Sequence, residues 1–189
     1  MQYKVITAVA TEPVTLAEAR LHIRASDSTD DDTLITAWIT AAREIAEHYT
    51  QRGLAPQTLE AALDEFPDDE DDNIDLPMSP VASITHIKYT DTAGTEQTVS
   101  STAYALSLYG DARRVAPTYG NYWPITQDIP DAVRIRYFTG YTTCPKAVKA
   151  ALLLMISWFD QHRGDQMDPN DIQPPAAKAL LNTVKLWGF

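Results

Sequence analysis

Residues 32–52, DTLITAWITAAREIAEHYTQR, carry the clearest periodicity in this chain. Apolar side chains recur there at the spacing of one helix face, namely Leu34, Ile35, Trp38, Ile39, Ala42, Ile45, Ala46 and Tyr49. The opposite face carries Arg43, Glu44, Glu47 and Gln51. The pattern predicts an amphipathic helix at the centre of the core, with Trp38 in the middle of its buried face and Gly53 as its cap.

Three further helices are predicted on either side of this one. Thr15 followed by Glu18 is the signature of a capping box, which starts a helix over 14–25. Pro145 opens a helix over 145–162, and periodic apolar residues predict a last helix over 175–187. The 145–162 helix is apolar nearly all round, which indicates burial on several sides and hints at a subunit interface.

The middle of the chain, about residues 56–142, is rich in Thr, Tyr, Val, Pro and Gly. Residues 83–100 read as two strands about a turn at 91–94, and residues 133–138 alternate as a half-buried strand does. Weaker strand patterns lie at 104–108 and 114–119. We therefore expect an α+β fold that is mainly α, in which about four helices form the core and a small antiparallel β insertion interrupts it. The expected organisation is a single domain over residues 1–189.

Composition narrows the classes of function. The chain has 189 residues and a net charge of -11, with 15 basic against 26 acidic side chains, which argues against sequence-specific nucleic-acid binding. Its single cysteine, Cys144, allows no intrachain disulfide and no cysteine-based zinc site. The longest apolar run, AALLLMISWF, has 10 residues, too few to span a bilayer, and the first residues lack a signal-peptide pattern. We expect synthesis in the cytoplasm and no membrane partner.

Catalytic and ligand-binding patterns are not found in the sequence. The histidines at 22, 48, 86 and 162 lack the spacing of a helical metal site, and the acidic run 68–75 lacks the glycine and terminal glutamate of a calcium loop. Cys144 precedes a helix, which can lower a thiol pKa, but no base partner is evident. The sequence predicts no enzyme, no cofactor and no metal.

Two segments are candidates for an interface. The aromatic residues of PTYGNYWP (117–124) either contact a partner or cover the open face of the sheet, and both alternatives bury them. The terminal helix either packs on its own subunit or docks on another molecule. The candidate interface residues are Tyr122, Trp123, Leu180, Leu181, Val184, Trp187 and Phe189.

The order of several blocks resembles a known family. EPVTLAEARLHIR (12–24) precedes an aspartate-rich turn and DDTLITAWITAAREIAEHYTQRGL (31–54). An LPxxPV block follows at 76–94, and a VxIxY block that ends in GYxxxP at 133–145. This arrangement, over nearly the whole chain, resembles the phage head–tail connector family, the adaptor or head-completion proteins of siphophages and gene transfer agents.

The resemblance implies a structural virion protein and no catalytic residue. It implies a ring of identical subunits, twelvefold when docked on the portal, that completes the DNA-filled head, forms a DNA channel and provides the tail attachment site. The implied partners are the portal protein and a tail-side connector or stopper protein. The implied location is the host cytoplasm during assembly and then the head–tail junction of the virion. The alternatives are a tail-completion or other virion assembly protein and, less favoured, a small hydrolase whose site is not visible in the sequence.

Overall fold

Four helices form where the apolar periodicity predicts them. They are α1 (Leu16–Ile23), α2 (Asp32–Thr50), α3 (Lys146–Gln161) and α4 (Pro175–Asn182). The computed structural model describes residues 1–25, 28–68, 73–110, 113–163 and 174–186. Each helix is a few residues shorter than its predicted span, as is usual where terminal turns fray.

The chain divides into two compact units. The sheet unit comprises Met1–Ala10 and Pro56–Gly140, and the helical unit comprises Thr11–Ala55 and Tyr141–Phe189. The single domain over residues 1–189 stays a prediction.

The first turn of α1 and the last turn of α2 test the capping residues that the sequence predicts. The capping box of α1 is confirmed, because Thr15 Oγ1 accepts from Glu18 N at 3.3 Å and Glu18 Oε2 accepts from Thr15 N at 3.0 Å. The prediction that Gly53 caps α2 is wrong. Gln51 ends the helix in the left-handed conformation, and its side-chain Nε2 donates to His48 O at 2.7 Å.

The helical core is built on the predicted face of α2. Ile35, Ile39, Ala42 and Ala46 are buried and pack with α3 and α4 residues, namely Val148, Ala151, Leu152, Met155, Ile156, Ala177 and Leu181. Trp38 is not at the centre of this face as predicted. It is only half-buried, and the guanidinium carbon of Arg163 lies 4.8 Å from its ring centroid.

The polar face of α2 also differs from the expectation. Arg43 and Glu47 are buried, joined by Arg43 Nη1 and Glu47 Oε2 at 2.6 Å. Arg43 Nε donates to Glu12 Oε2 at 2.8 Å, and Glu47 Oε1 accepts from Leu54 N at 2.8 Å. The buried charges are thus paired and hydrogen-bonded, which such a position requires.

Two antiparallel sheets make up the other unit. Its strands are β1 (Gln2–Thr7), β2 (Gln57–Leu63), β3 (Ile74–Asp75), β4 (Val81–Thr90), β5 (Glu96–Thr98), β6 (Tyr104–Leu106), β7 (Arg114–Pro117) and β8 (Val133–Thr139). The larger sheet has the order β1-β2-β8-β4-β5, and the smaller has the order β3-β7-β6. The expectation of a mainly α fold with a small β insertion is therefore wrong, because strands hold nearly as many residues as helices.

The sheet is also more than an insertion. β1 lies at the very start of the chain and pairs antiparallel with β2, with Val5 opposite Leu59. All six residues of β1 are exposed, so the strand lacks the burial alternation that makes a strand visible in a sequence.

The predicted strands of the middle region are confirmed. Val133, Ile135 and Tyr137 are buried on β8, as the alternation indicates, and they form a core with residues of both sheets that include Leu59, Ala61, Ile74, Ile87 and Val115. The turn between β4 and β5 is held by Asp91, whose Oδ1 accepts from Ala93 N at 3.0 Å and Thr95 N at 2.9 Å.

Candidate functional site

Residues 118–129, here called the aromatic loop, carry large side chains into solvent. The loop lies between β7 and β8 in the sequence. Tyr119 is fully exposed, and Tyr122 and Ile125 are 82% and 81% exposed. Exposed groups of large apolar side chains often mark sites of protein–protein contact, so the loop is a candidate contact surface.

The aromatic loop is anchored on the sheet unit at several points. Thr118 N donates to Ala103 O at 2.9 Å, and Gln127 N donates to Thr90 O at 3.0 Å. Trp123 folds inward and stacks on Phe66, with ring centroids 4.8 Å apart and an interplanar angle of 3°. The exposed side chains are therefore presented from a fixed backbone, which lowers the entropy cost of binding.

The sequence left two alternatives for the aromatic loop, contact with a partner or packing on the sheet. Each alternative applies to a different residue. Trp123 packs against the sheet core and serves the fold, whereas Tyr122 points into solvent and is available to a partner. The interface role of Tyr122 stays a prediction.

The terminal helix packs on its own helical unit. Leu181 is fully buried, and Leu180 and Val184 are half-buried against the same core. Tyr49 Oη donates to Asn182 Oδ1 at 2.6 Å. Trp187 and Phe189 lie outside the described residues, so the predicted docking role of this segment rests on them.

Cys144, which the sequence offers as a potential nucleophile, is half-buried. Burial raises the pKa of the half-buried Cys144 thiol, more than the nearby Lys149 lowers it. In the part of the chain that the structure describes, no three His, Cys, Asp or Glu side chains are grouped to hold a metal ion. Residues 69–72 of the acidic run lie outside that part.

A charged sheet face is the feature that the sequence analysis missed. Lys4, Glu60, Arg136 and His86 stand opposite one another across β1, β2, β8 and β4. Glu60 Oε1 lies 2.8 Å from Lys4 Nζ, and Glu60 Oε2 lies 2.6 Å from Arg136 Nη2. Burial alone raises the pKa of Glu60, but these two cations hold it below its ordinary value.

A second group of charges continues the same face. Glu96 Oε1 accepts from Lys88 Nζ at 2.7 Å, and Glu96 Oε2 also accepts from Arg134. Burial and the cations Arg136 and Lys88 lower the pKa of His86 below its ordinary value. The spacing of Arg134 and Arg136, and of His86 and Lys88, indicates one face of each strand, but the pairing between strands could not be predicted.

No helix among the described residues has the length and apolar character needed to cross a membrane. The described residues offer exposed surfaces for contact with other molecules, in the aromatic loop and on the charged sheet face.

Comparisons with known proteins identify the fold and the family. The sequence profile described as phage gp6-like head–tail connector protein matches residues 13–111. Comparison with curated proteins gives no match.

Among solved structures, a chain from the virion of a native gene transfer agent particle is 24% identical, with a TM-score of 0.77. A chain from the neck of an empty particle of this kind, computed with C6 symmetry, is 23% identical with a TM-score of 0.78. A chain from the neck of a native particle, computed with C12 symmetry, is 21% identical with a TM-score of 0.76. Each match covers 100% of this chain and 97% of the other, so both units share the fold of those chains.

Proposed function

This chain belongs to the phage gp6-like head–tail connector protein family, and from that premise we propose that it is a structural ring subunit at the head–tail junction of a phage or gene transfer agent particle. The observation that carries the proposal is the family match over residues 13–111, which includes elements of both the helical unit and the sheet unit.

The symmetry of the structural neighbours supports a ring. Those chains come from particle necks computed with C6 and C12 symmetry. Twelve copies of this chain would surround the path of the DNA, docked on the portal protein on one side and on a tail-side connector or stopper protein on the other. The subunits are made in the host cytoplasm and become part of the virion neck.

The subunit acts by binding and not by catalysis. A connector needs surfaces that mate with neighbours, and the anchored aromatic loop with Tyr119, Tyr122 and Ile125 provides one. The end of the chain, with Trp187 and Phe189, is a second candidate, for contact with the portal or an adjacent subunit. The raised pKa of Cys144 supports this assignment, because a protonated thiol is a poor nucleophile.

Removal of the gene from its particle-producing host tests the function. We expect DNA-filled heads without joined tails, and recovery of complete particles when the wild-type gene is supplied in trans. Electron microscopy of the recovered particles should show the chain as a ring directly below the portal. Tailed particles formed without the chain, or its location at the far end of the tail, would contradict the proposal.

A further inference from the structure

The five strands of the larger sheet place all their charged side chains on one face, here called the basic face. These residues are Lys4, Glu60, Lys88, Glu96, Arg134 and Arg136, and the titratable His86 stands among them. Four cations thus share two carboxylates, each already bridged by two of the cations. The face keeps a net positive charge and unused N–H donors.

This charge stands out against the rest of the sheet unit. The unit contains fourteen acidic and six basic residues, and four of the six basic residues lie on the basic face. The other two, Arg113 and Arg114, lie 3.2 Å and 3.5 Å from the carboxylate of Asp75. The exposed positive charge of the unit is therefore concentrated on one surface.

Exposed acidic residues flank a side chain that packs on the other side of the same sheet. Phe66 packs into the core on the side away from the basic face, together with Leu59 and Tyr137. Its neighbours in the chain, Glu65 and Asp68, are exposed. The sheet unit thus carries exposed carboxylates that are not part of the basic face.

We propose that the basic face binds a second copy of this chain, through the exposed carboxylates of Glu65 and Asp68. A surface that is complementary to a different surface of the same chain gives a head-to-tail contact, and a head-to-tail contact closes into a ring when the rotation per subunit permits it. This contact rests on the proposed function, because both require a ring. It specifies which surfaces of adjacent subunits are in contact.

A copy of the chain fits this face better than nucleic acid does. Tight phosphate binding depends on many cations, whereas the four cations of this face share two carboxylates and leave only a small net positive charge. Phe138, which is 37% exposed, projects from the same face among the arginines. An aromatic side chain between arginines is typical of protein–protein interfaces.

Charge reversal of the face and of its partner segment tests the contact. Lys88→Glu with Arg134→Glu reverses two partly exposed cations without touching the buried Glu60. Lys146→Glu with Lys178→Glu is the matched control, because it changes the net charge equally at exposed lysines of the helical unit. Circular dichroism and thermal unfolding verify that each variant is folded, and Lys88→Gln with Arg134→Gln replaces the reversed pair should that variant not fold.

Sedimentation of the purified full chain at low salt is the measurement. We expect the wild type and the control to form oligomers, and Lys88→Glu with Arg134→Glu to associate roughly 100-fold more weakly, since like charges then face each other. Adding Glu65→Lys with Asp68→Lys to that variant should restore association, and raising the salt should weaken the wild-type oligomer.

Two outcomes would overturn the inference. The first is equal association of the wild type and the charge-reversed variant, and the second is a wild-type chain that stays monomeric in isolation at low salt. Neither outcome touches the proposed function, because the loss and recovery of tailed particles on gene removal is measured independently.

Discussion

Arg43 is a buried, charged residue of the helical unit. It lies buried between Glu12 and Glu47 and uses Nε for the first and Nη1 for the second. Arg43→Ala should cost about 3–5 kcal/mol in the free energy of unfolding, because it leaves Glu47 buried without its counter-charge. Urea unfolding measures the loss. Glu44→Ala is the comparison variant: it removes only the exposed partner of Arg43, whose Oε1 lies 3.4 Å from Arg43 Nη2, and should change stability by less than about 0.5 kcal/mol.

The pH dependence of the same variant provides a second readout. Burial raises the pKa of Glu47 above its ordinary value of 4.5, and Arg43 partly opposes that rise. A carboxyl whose pKa is higher in the folded state favours folding in acid, and this contribution is lost as pH rises through the folded pKa. Without Arg43 the pKa of Glu47 rises further, so the deficit of Arg43→Ala should be larger at neutral pH than near pH 4.5. An equal deficit at both pH values would show that Glu47 is not the cause.

Glu18 has a lowered pKa, so its contribution to stability depends on pH in the opposite direction to that of Glu47. The hydrogen bond from Lys149, followed by those from Thr15, lowers the pKa of Glu18 to about 2. Its stabilising effect is therefore present above the ordinary value of 4.5 and is lost as pH falls towards 2. Glu18→Gln should cost about 0.5–1 kcal/mol at pH 7, since the site is 41% exposed and solvent screens the pair. Unfolding curves of the two proteins should converge near pH 2.

These residues show where single-sequence inference ends. The capping box was predictable because Thr15 and Glu18 are neighbours in the chain. The burial of Arg43 was not, because its partner Glu12 is 31 residues away and the segments that cover it are placed by tertiary packing. Trp123 and Tyr122 are adjacent aromatic residues, and the sequence does not tell which of them turns inward; in the fold Trp123 stacks on Phe66 and Tyr122 is exposed.

At the scale of elements, α4 joins a structural role to a predicted docking role. Leu181 is fully buried in the helical core, so Leu181→Ala should cost about 2–5 kcal/mol. Deletion of residues 187–189 does not remove Leu181, and thermal unfolding of the deletion variant checks that it is folded. If the chain end docks on the portal or a neighbour, the short deletion should nevertheless impair particle completion. A deletion that completes particles normally would refute the docking role of Trp187 and Phe189.

In the aromatic loop, too, different residues are expected to serve folding and binding. Tyr119→Ser with Tyr122→Ser removes exposed rings and should alter the unfolding free energy by less than about 0.5 kcal/mol. Trp123→Ala should cost about 1–3 kcal/mol, because it removes a half-buried ring stacked on Phe66. We expect the tyrosine variant to be folded yet defective in joining heads to tails. Normal joining would remove the loop from the set of contact surfaces.

The elements themselves were predictable to different degrees. All four helices were predictable, because each has apolar residues at the spacing of one helix face. β8 was equally clear from Val133, Ile135 and Tyr137. β1 was not, because an edge strand with six exposed residues has no buried side to detect, and its pairing with β2 spans more than fifty residues of chain. The expected β insertion lacked β1 and the smaller sheet, and with them the strands form a unit of two sheets.

At the scale of the whole molecule, net charge and charge distribution give different information. The value of -11 is read directly from composition, whereas the basic face appears only when five strands are placed in register. Arg134, Arg136, Lys88 and Lys4 come from three separate parts of the chain. Their convergence is a property of the fold, which composition alone does not reveal.

The subunit should not bind duplex DNA at about 0.15 M salt, although we place it on the path of the DNA. At that salt, charges are screened beyond roughly 8 Å, so only local cations count. The four cations of the basic face are partly offset by Glu60 and Glu96, and the rest of the chain has more acidic than basic residues. We expect gel-shift titration to give a dissociation constant weaker than about 10⁻⁴ M, the weak end of non-specific binding.

A conduit of this kind benefits from a surface that does not hold DNA, because the duplex has to slide through the ring. At much lower salt a faint, sequence-independent interaction should appear, and Lys88→Glu with Arg134→Glu should remove it if it arises at the basic face. Micromolar binding at 0.15 M salt with a steep salt dependence would contradict this expectation. In that case the basic face would line the DNA path, and the contact with a neighbouring copy would have to lie elsewhere on the subunit.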